Sequence, residues 1–335
     1  MLRPLRLHII LHVFGCLLLL SLPSAGLPLS CVIDGRYTMG TVLQLTLCGT
    51  DPDHTRRTSD SLFQTAARLD RLLTTYAPDS PVSRLNATAG QGAMPVPAEV
   101  MDALSLSVRY WELTRGTFDI TVGPLMALWK NASGLPSPDA VRHTLSRVGS
   151  HQIVLSPQGT VALAQQDMTL DLGGIGKGFA LDRMVALLKE RRVGRALLNF
   201  GHSSQWAVGR PPDAPGWRLL VRLPDGTITG IATLRDQALS VSGSLGQSVA
   251  LGDRRYGHVI DPRTGQPIQR DLLACVVAPS AAQAEALSKA LLILGESEGT
   301  ALLERQSGVE GLLLEADGQR WETKGWRQAV SFVAL

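Results

Sequence analysis

Asp171-Leu-Gly-Gly-Ile-Gly-Lys-Gly-Phe-Ala-Leu-Asp182 packs four glycines, one lysine and two acids into twelve residues. Apolar residues precede the run and a helix-forming stretch follows it. Backbone without side chains lets a ligand approach closely, and the N–H groups that open a helix can hold phosphate. Lys177 adds a mobile point charge suited to a phosphate oxygen. The spacing is neither G-x-G-x-x-G nor G-x-x-x-x-G-K-[ST]. Two readings are open: a phosphate or nucleotide cradle, and a glycine-rich turn that packs a helix on a sheet.

Two other segments carry more polar chemistry than packing requires. Phe118-Asp119-Ile120-Thr121-Val122-Gly123-Pro124 sets an acid between apolar neighbours, ahead of a Gly-Pro turn. His258-Val-Ile-Asp-Pro-Arg-Thr-Gly265 gathers a histidine, an acid and an arginine around a proline turn. A histidine at a strand end can serve as a general base, because imidazole titrates near neutrality. Asp261, Arg263 and Thr264 can instead hydrogen-bond one another and pin the turn.

The elements that must position these residues alternate between strand and helix patterns. Leu62, Ala66, Leu69, Leu73 and Tyr76 recur at helical spacing, as do Val100, Leu104, Val108 and Trp111. Short strands are expected at 152–155, 161–163 and 168–170, feeding the glycine-rich run, and a helix at 178–190 after it. Further strands are expected at 41–47, 196–199, 218–222, 230–233, 238–241, 272–277 and 311–314, and a helix at 281–294. The middle strands are joined by turns too short for crossovers, so the pattern implies an α+β fold, a mixed sheet with flanking helices. Cys31 and Cys48 lie symmetrically about Met39-Gly40, so a hairpin turning there would set them opposite each other, able to pair in an oxidising compartment.

Residues 1–26 have the pattern of an export signal: Arg3 and Arg6, a mostly apolar stretch from Ile9 to Leu22, then Ser24-Ala25-Gly26. An uncleaved anchor in the inner membrane is the other reading, and either implies an exported, periplasmic protein. The remaining chain, residues 31–335, is about 305 residues long, enough for a substantial core. The net charge of +3 is scattered, which leaves no nucleic-acid stripe. Four cysteines without a C-x-x-C argue against zinc or redox-motif chemistry.

Taken together, these segments resemble the FAD:protein FMN transferases, the ApbE-type flavin transferases. The likeness runs in order through Met39-Gly40-Thr41, Tyr76, Asp79-Ser80, Ser83-Arg84-Leu85-Asn86, Thr117 to Pro124, the glycine-rich run, His258 to Gly265, and Glu285 to Gly295. It implies that FAD is bound with a divalent cation, usually Mg2+. FMN then passes to a threonine or serine of a target flavoprotein carrying Asp-x-x-[ST]-Gly-Ala-[ST]. It implies that Met39, Tyr76, Thr117, Phe118, Asp119, Asp171, Lys177 and Ile260 line the nucleotide, with His258 as base and Lys177 beside the phosphates.

The resemblance also assigns a metal site, and there the sequence departs from the family pattern. Such sites join a backbone carbonyl, here at Gly174 or Gly176, to a helix of pattern D-x-x-[AD]-T. This chain has Glu285, Ser288 and Lys289 along that helix. A +1 charge about 4 Å from a +2 ion costs on the order of 8 kcal/mol at an effective dielectric near 20. Acid first and four apart, Glu285 and Lys289 can instead form an ordinary helix ion pair. After Asn199, where the family tends to carry Gly-Gly-Asp, His202 appears as either a ligand contact or a turn residue.

Overall fold

The computed structural model describes residues 29–222, 228–244, 248–251 and 254–334; the expected export signal lies outside them. Met39 and Gly40 both have positive φ, 50° and 76°, as a tight two-residue hairpin turn requires. The turn sets strand β1 (Ser30–Thr38) antiparallel to β2 (Thr41–Gly49), with Cys31 opposite Cys48 and their sulfurs joined in a disulfide.

Six more strands extend this hairpin into an eight-stranded sheet: β3 (Ala196–Phe200), β4 (Ser204–Val208), β5 (Gln237–Gly243), β6 (Leu272–Ala278), β7 (Glu310–Glu315) and β8 (Arg320–Glu322). Their order across the sheet is their order along the chain. Every neighbouring pair is antiparallel. The fold is α+β, with helices inserted between β2 and β3 and between β6 and β7.

Both faces of the sheet are covered, which explains the unbroken apolar run of β6. All seven of its residues are buried, and the period of two sends them to opposite sides. Leu273, Cys275 and Val277 pack with Trp217, Leu219 and Trp326, beneath a small sheet that includes Trp217–Arg222 and Ile228–Leu234. Leu272, Ala274, Val276 and Ala278 pack with Ala284, Leu287 and Leu291 of the long helix after β6.

The helices are α1 (Pro52–Leu73), α2 (Pro81–Ala87), α3 (Ala98–Leu113), α4 (Gly123–Lys130), α5 (Pro138–Leu145), α6 (Gly176–Glu190) and α7 (Ala281–Glu304), with a short α8 (Trp326–Ala329) near the end. The expected stripes of α1 and α3 do face the core: Leu62, Ala66, Leu69, Leu73, Val100 and Leu104 are buried. Tyr76 does not belong to the α1 stripe. The helix ends at Leu73, and the Thr74 hydroxyl accepts the Tyr76 N–H. Residues 168–170 form no strand; the Asn86 side chain donates to the Leu170 carbonyl and accepts its N–H, a side-chain substitute for a strand partner. In α7, Gly295 leaves helical geometry with φ 73°, so the helix breaks just after Leu294, where the sequence pattern ends it.

Helices α6 and α7 meet almost backbone to backbone. A Cβ on Gly178 would lie 2.6 Å from the carbonyl carbon and oxygen of Ala281, so this approach requires glycine. One turn on, the Asp182 carboxylate accepts from the backbone N–H groups of Ala281 (2.7 Å) and Ala282 (3.0 Å), the Ser280 hydroxyl (2.7 Å) and the Trp206 indole (3.1 Å). Asp182 thus satisfies the unpaired donors that open α7 and sets an anion at its positive end.

Asp182→Ala is expected to lower unfolding free energy by about 2–3 kcal/mol, read from urea melts, because charge-assisted bonds to otherwise orphaned donors are lost. The protein folded under oxidising conditions should weigh two hydrogens less than its reduced form. Removing the bridge between cysteines 17 residues apart should cost about 3 kcal/mol by chain entropy.

Candidate active site

Nine segments converge on a cleft of about 690 Å³. They are the β1–β2 hairpin tip, the end of α1 with residues 74–76, the loop at 117–122, Met126 of α4, the glycine-rich run, the β3–β4 turn, the end of β5, the loop at 258–262 and one face of α7. Met39, Tyr76, Thr117, Phe118, Asp119, Asp171, Gly174, Lys177, His258, Ile260 and Lys289 all line it. Glu285 and Ser288 are buried behind its wall.

The packing reading of the glycine-rich run holds at one of its glycines. Gly178 packs α6 on α7, while Gly173, Gly174, Gly176 and Lys177 face the cleft. The loop is held from below. The Asp171 N–H donates to the Ile120 carbonyl (2.7 Å), and the Asp171 carboxylate accepts the Gly173 N–H (2.7 Å). A Cβ on Gly174 would lie 3.4 Å from the Phe118 ring, so Phe118 supports the backbone there.

The first turn of α6 already has its anion. Glu285, only 1% exposed, accepts the Gly178 N–H at 2.9 Å and the Ser204 hydroxyl, with the Lys177 ammonium 3.8 Å away. The Glu285–Lys289 helix pair expected from spacing is not formed: the ion-pair partner of Glu285 comes from α6. The distance along one helix is outweighed by the close α6–α7 approach.

Several polar side chains expected to face a nucleotide are engaged within their own loops. The Thr117 hydroxyl donates to the Thr114 carbonyl at 2.9 Å. Asp119 accepts from the backbone N–H and hydroxyl of both Thr121 and Ser150, at 2.6 to 3.0 Å. These residues shape the cleft wall while their polar atoms tie 117–121 to residue 150. Tyr76 stands at the mouth, 96% exposed. Asp70 was not singled out by the sequence, where it is an ordinary charged helix position. Its carboxylate accepts the Met39 N–H (2.7 Å) and the Thr38 hydroxyl (3.2 Å), fixing the hairpin tip at the cleft.

In the 258–262 loop, His258 is exposed beside buried Ile260. Asp261 and Arg263 act as turn residues: the carboxylate accepts from the Arg263 N–H (2.9 Å) and its guanidinium (2.9 and 3.0 Å). The Gly265 carbonyl then accepts the Trp129 indole N–H at 2.8 Å, anchoring the turn to α4. His202 is likewise a turn residue. It has φ 65°, its N–H is bonded to Asn199 at 2.9 Å, and it lies outside the cleft lining.

The residues assigned to magnesium by resemblance do not compose a magnesium site. Such an ion needs several oxygens in near-octahedral array. Both Glu285 oxygens are engaged as described, and the Ser288 hydroxyl is shared among Ser240 (3.1 Å), Ser242 (2.8 Å) and the Glu285 carbonyl (2.9 Å). Lys289 brings a second positive charge, its Cε 3.9 Å from where a Gly174 Cβ would sit. Among the described residues no carboxylate lies within 4 Å of its ammonium. Burial pushes that ammonium down to about 8; Glu285 opposes the shift and Lys177 adds to it. Among the described residues no three His, Cys, Asp or Glu side chains converge to hold a metal.

Residues 39–313 match the sequence profile of the ApbE family. A Klebsiella pneumoniae protein described as an FAD:protein FMN transferase is 30% identical over 328 residues, covering 92% of each chain. The flavinyl transferase ApbE of Pseudomonas stutzeri, solved in apo form, superposes with a TM-score of 0.79 at 27% identity, covering 90% of this chain and 97% of that one. The flavin transferase ApbE of Vibrio cholerae gives 0.79 at 23% identity, covering 90% of this chain and all of the other, and speaks to the fold alone. With the profile spanning the hairpin tip, the glycine-rich run, the 258–265 turn and α7 in one alignment, the chain belongs to the ApbE family.

Proposed function

We propose that the chain is an FAD:protein FMN transferase. The observation that carries this reading is one cleft with Lys177 and the Gly173-Gly174 backbone on one wall and His258 exposed on the rim. The FAD diphosphate lies along the glycine-rich loop within reach of the Lys177 ammonium. The acceptor hydroxyl approaches at the rim. Its oxygen attacks the phosphorus on the FMN side, the bond to the bridging oxygen breaks, and AMP leaves with that oxygen. His258 takes the hydroxyl proton.

Phosphoryl transfer asks little covalent chemistry of a protein and much positioning. The closed hydrogen bonding of the 117–121 and 171–173 loops supplies a rigid wall. The acceptor is a threonine or serine in a target flavoprotein of pattern Asp-x-x-[ST]-Gly-Ala-[ST]. The N-terminal pattern at 1–26 supports action after export, in the periplasm. No described helix is long and apolar enough to cross a membrane, so association with the inner membrane would fall to that segment. A second reading, an FAD-binding protein without transfer, draws on Lys289 standing where the family pattern has threonine.

Flavin fluorescence is expected to be quenched on titrating micromolar FAD with the protein; an unchanged signal removes both readings. Mixed with FAD and an acceptor bearing the motif, the wild type should leave a fluorescent acceptor band in a denaturing gel. His258→Ala should slow band formation by about 10²–10⁴-fold while FAD affinity stays within a few-fold. A blank lane from wild type that binds FAD selects the second reading. A variant as fast as wild type removes His258 as the base.

A further inference from the structure

We propose that Lys289 is a tethered cation of the nucleotide site, joining Lys177 as counter-charge to the FAD diphosphate so that binding requires no divalent metal. The inference rests on the FAD reading above and goes beyond it, because it assigns the charge of the site to the chain itself.

The arrangement of charges carries the inference. Glu285 is one carboxylate facing two ammonium groups. It accepts from Gly178 and Ser204 and has Lys177 at 3.8 Å, which leaves Lys289 without a carboxylate of its own. The hydrogen bonds of the other acids go elsewhere, those of Asp119 to Thr121 and Ser150, of Asp171 to the Gly173 N–H and of Asp70 to the hairpin tip, and none of the three is an ion-pair partner of Lys289. Where Lys177, Lys289 and Glu285 meet, two positive charges face one negative charge.

Position matters as much as sign. The Lys289 stem runs beside Gly174, and no side chain on that residue separates the stem from the loop backbone. Lys289 is half-buried and lines the same cleft. A partly desolvated ammonium without an anion is unfavourable, and an incoming phosphate relieves it. Lysine suits this task as a compact charge on a flexible stem. The same ammonium repels a divalent ion entering beside it.

The test is calorimetric titration of the full protein with FAD, once in EDTA and once in magnesium chloride, for wild type, Lys289→Gln and Lys289→Arg. Thermal melts verify that each variant is folded. Wild type is expected to bind equally well in both buffers. Lys289→Gln should bind about tenfold to a hundredfold more weakly in EDTA, the loss of one charge-assisted contact, and Lys289→Arg should retain most of the affinity. Should the Gln variant fail to fold, the two wild-type titrations decide alone. Wild-type binding that appears only with magnesium overturns the inference and leaves the FAD reading intact. So does Lys289→Gln binding as tightly as wild type in EDTA. Binding in neither buffer overturns the FAD reading and this inference with it.

Discussion

The contact on which the site depends is the meeting of the first turns of α6 and α7. Gly178 allows the approach, Asp182 satisfies the opening donors of α7, and Glu285 returns the arrangement by accepting from the opening turn of α6. Each helix thus carries the anion that the other helix's N-terminus requires. Helix ends leave several backbone donors unpaired, and burying them unsatisfied would be costly. The reciprocal arrangement fixes how α7 lies beside the glycine-rich loop, and so where Lys177 and Lys289 can reach.

Around that joint the cleft is assembled from loops that spend their polar groups on themselves. Asp119 ties its segment to residue 150, Asp171 braces Gly173, and Asp70 holds the hairpin tip. A carboxylate engaged in this way keeps its charge and contributes shape and rigidity to the wall. The two lysines that line the cleft, Lys177 and Lys289, both sit on the α6–α7 side.

Much of this was legible in the chain, and the reasons are local. The symmetric cysteines about Met39-Gly40 anticipated the hairpin register because strand pairing counts residues one for one. The apolar period placed the buried faces of α1 and α3, and the pattern ended at Leu294, one residue before the Gly295 break. The glycine-rich run and the 258–265 turn were recognisable because few other tasks need those residues together. Tyr76 and residues 168–170 misled for the same local reason: an apolar residue at the right spacing does not reveal that the helix has ended or that a side chain has replaced a strand.

Partnerships across the fold were another matter. Spacing on α7 favoured Glu285 with Lys289, yet Glu285 pairs with Lys177, more than a hundred residues earlier in the chain, because α6 lies against α7. Nothing near Asp70 in sequence identifies it as the residue that positions Met39. The sequence by itself determined the α+β class, the element pattern and the residue types available for phosphate chemistry, since these follow from periodicity and composition along the chain. Only the tertiary structure decided which acids are spent, which lysine is paired and which is left over, because hydrogen bonds and ion pairs are settled by distances in space that spacing along one helix does not encode.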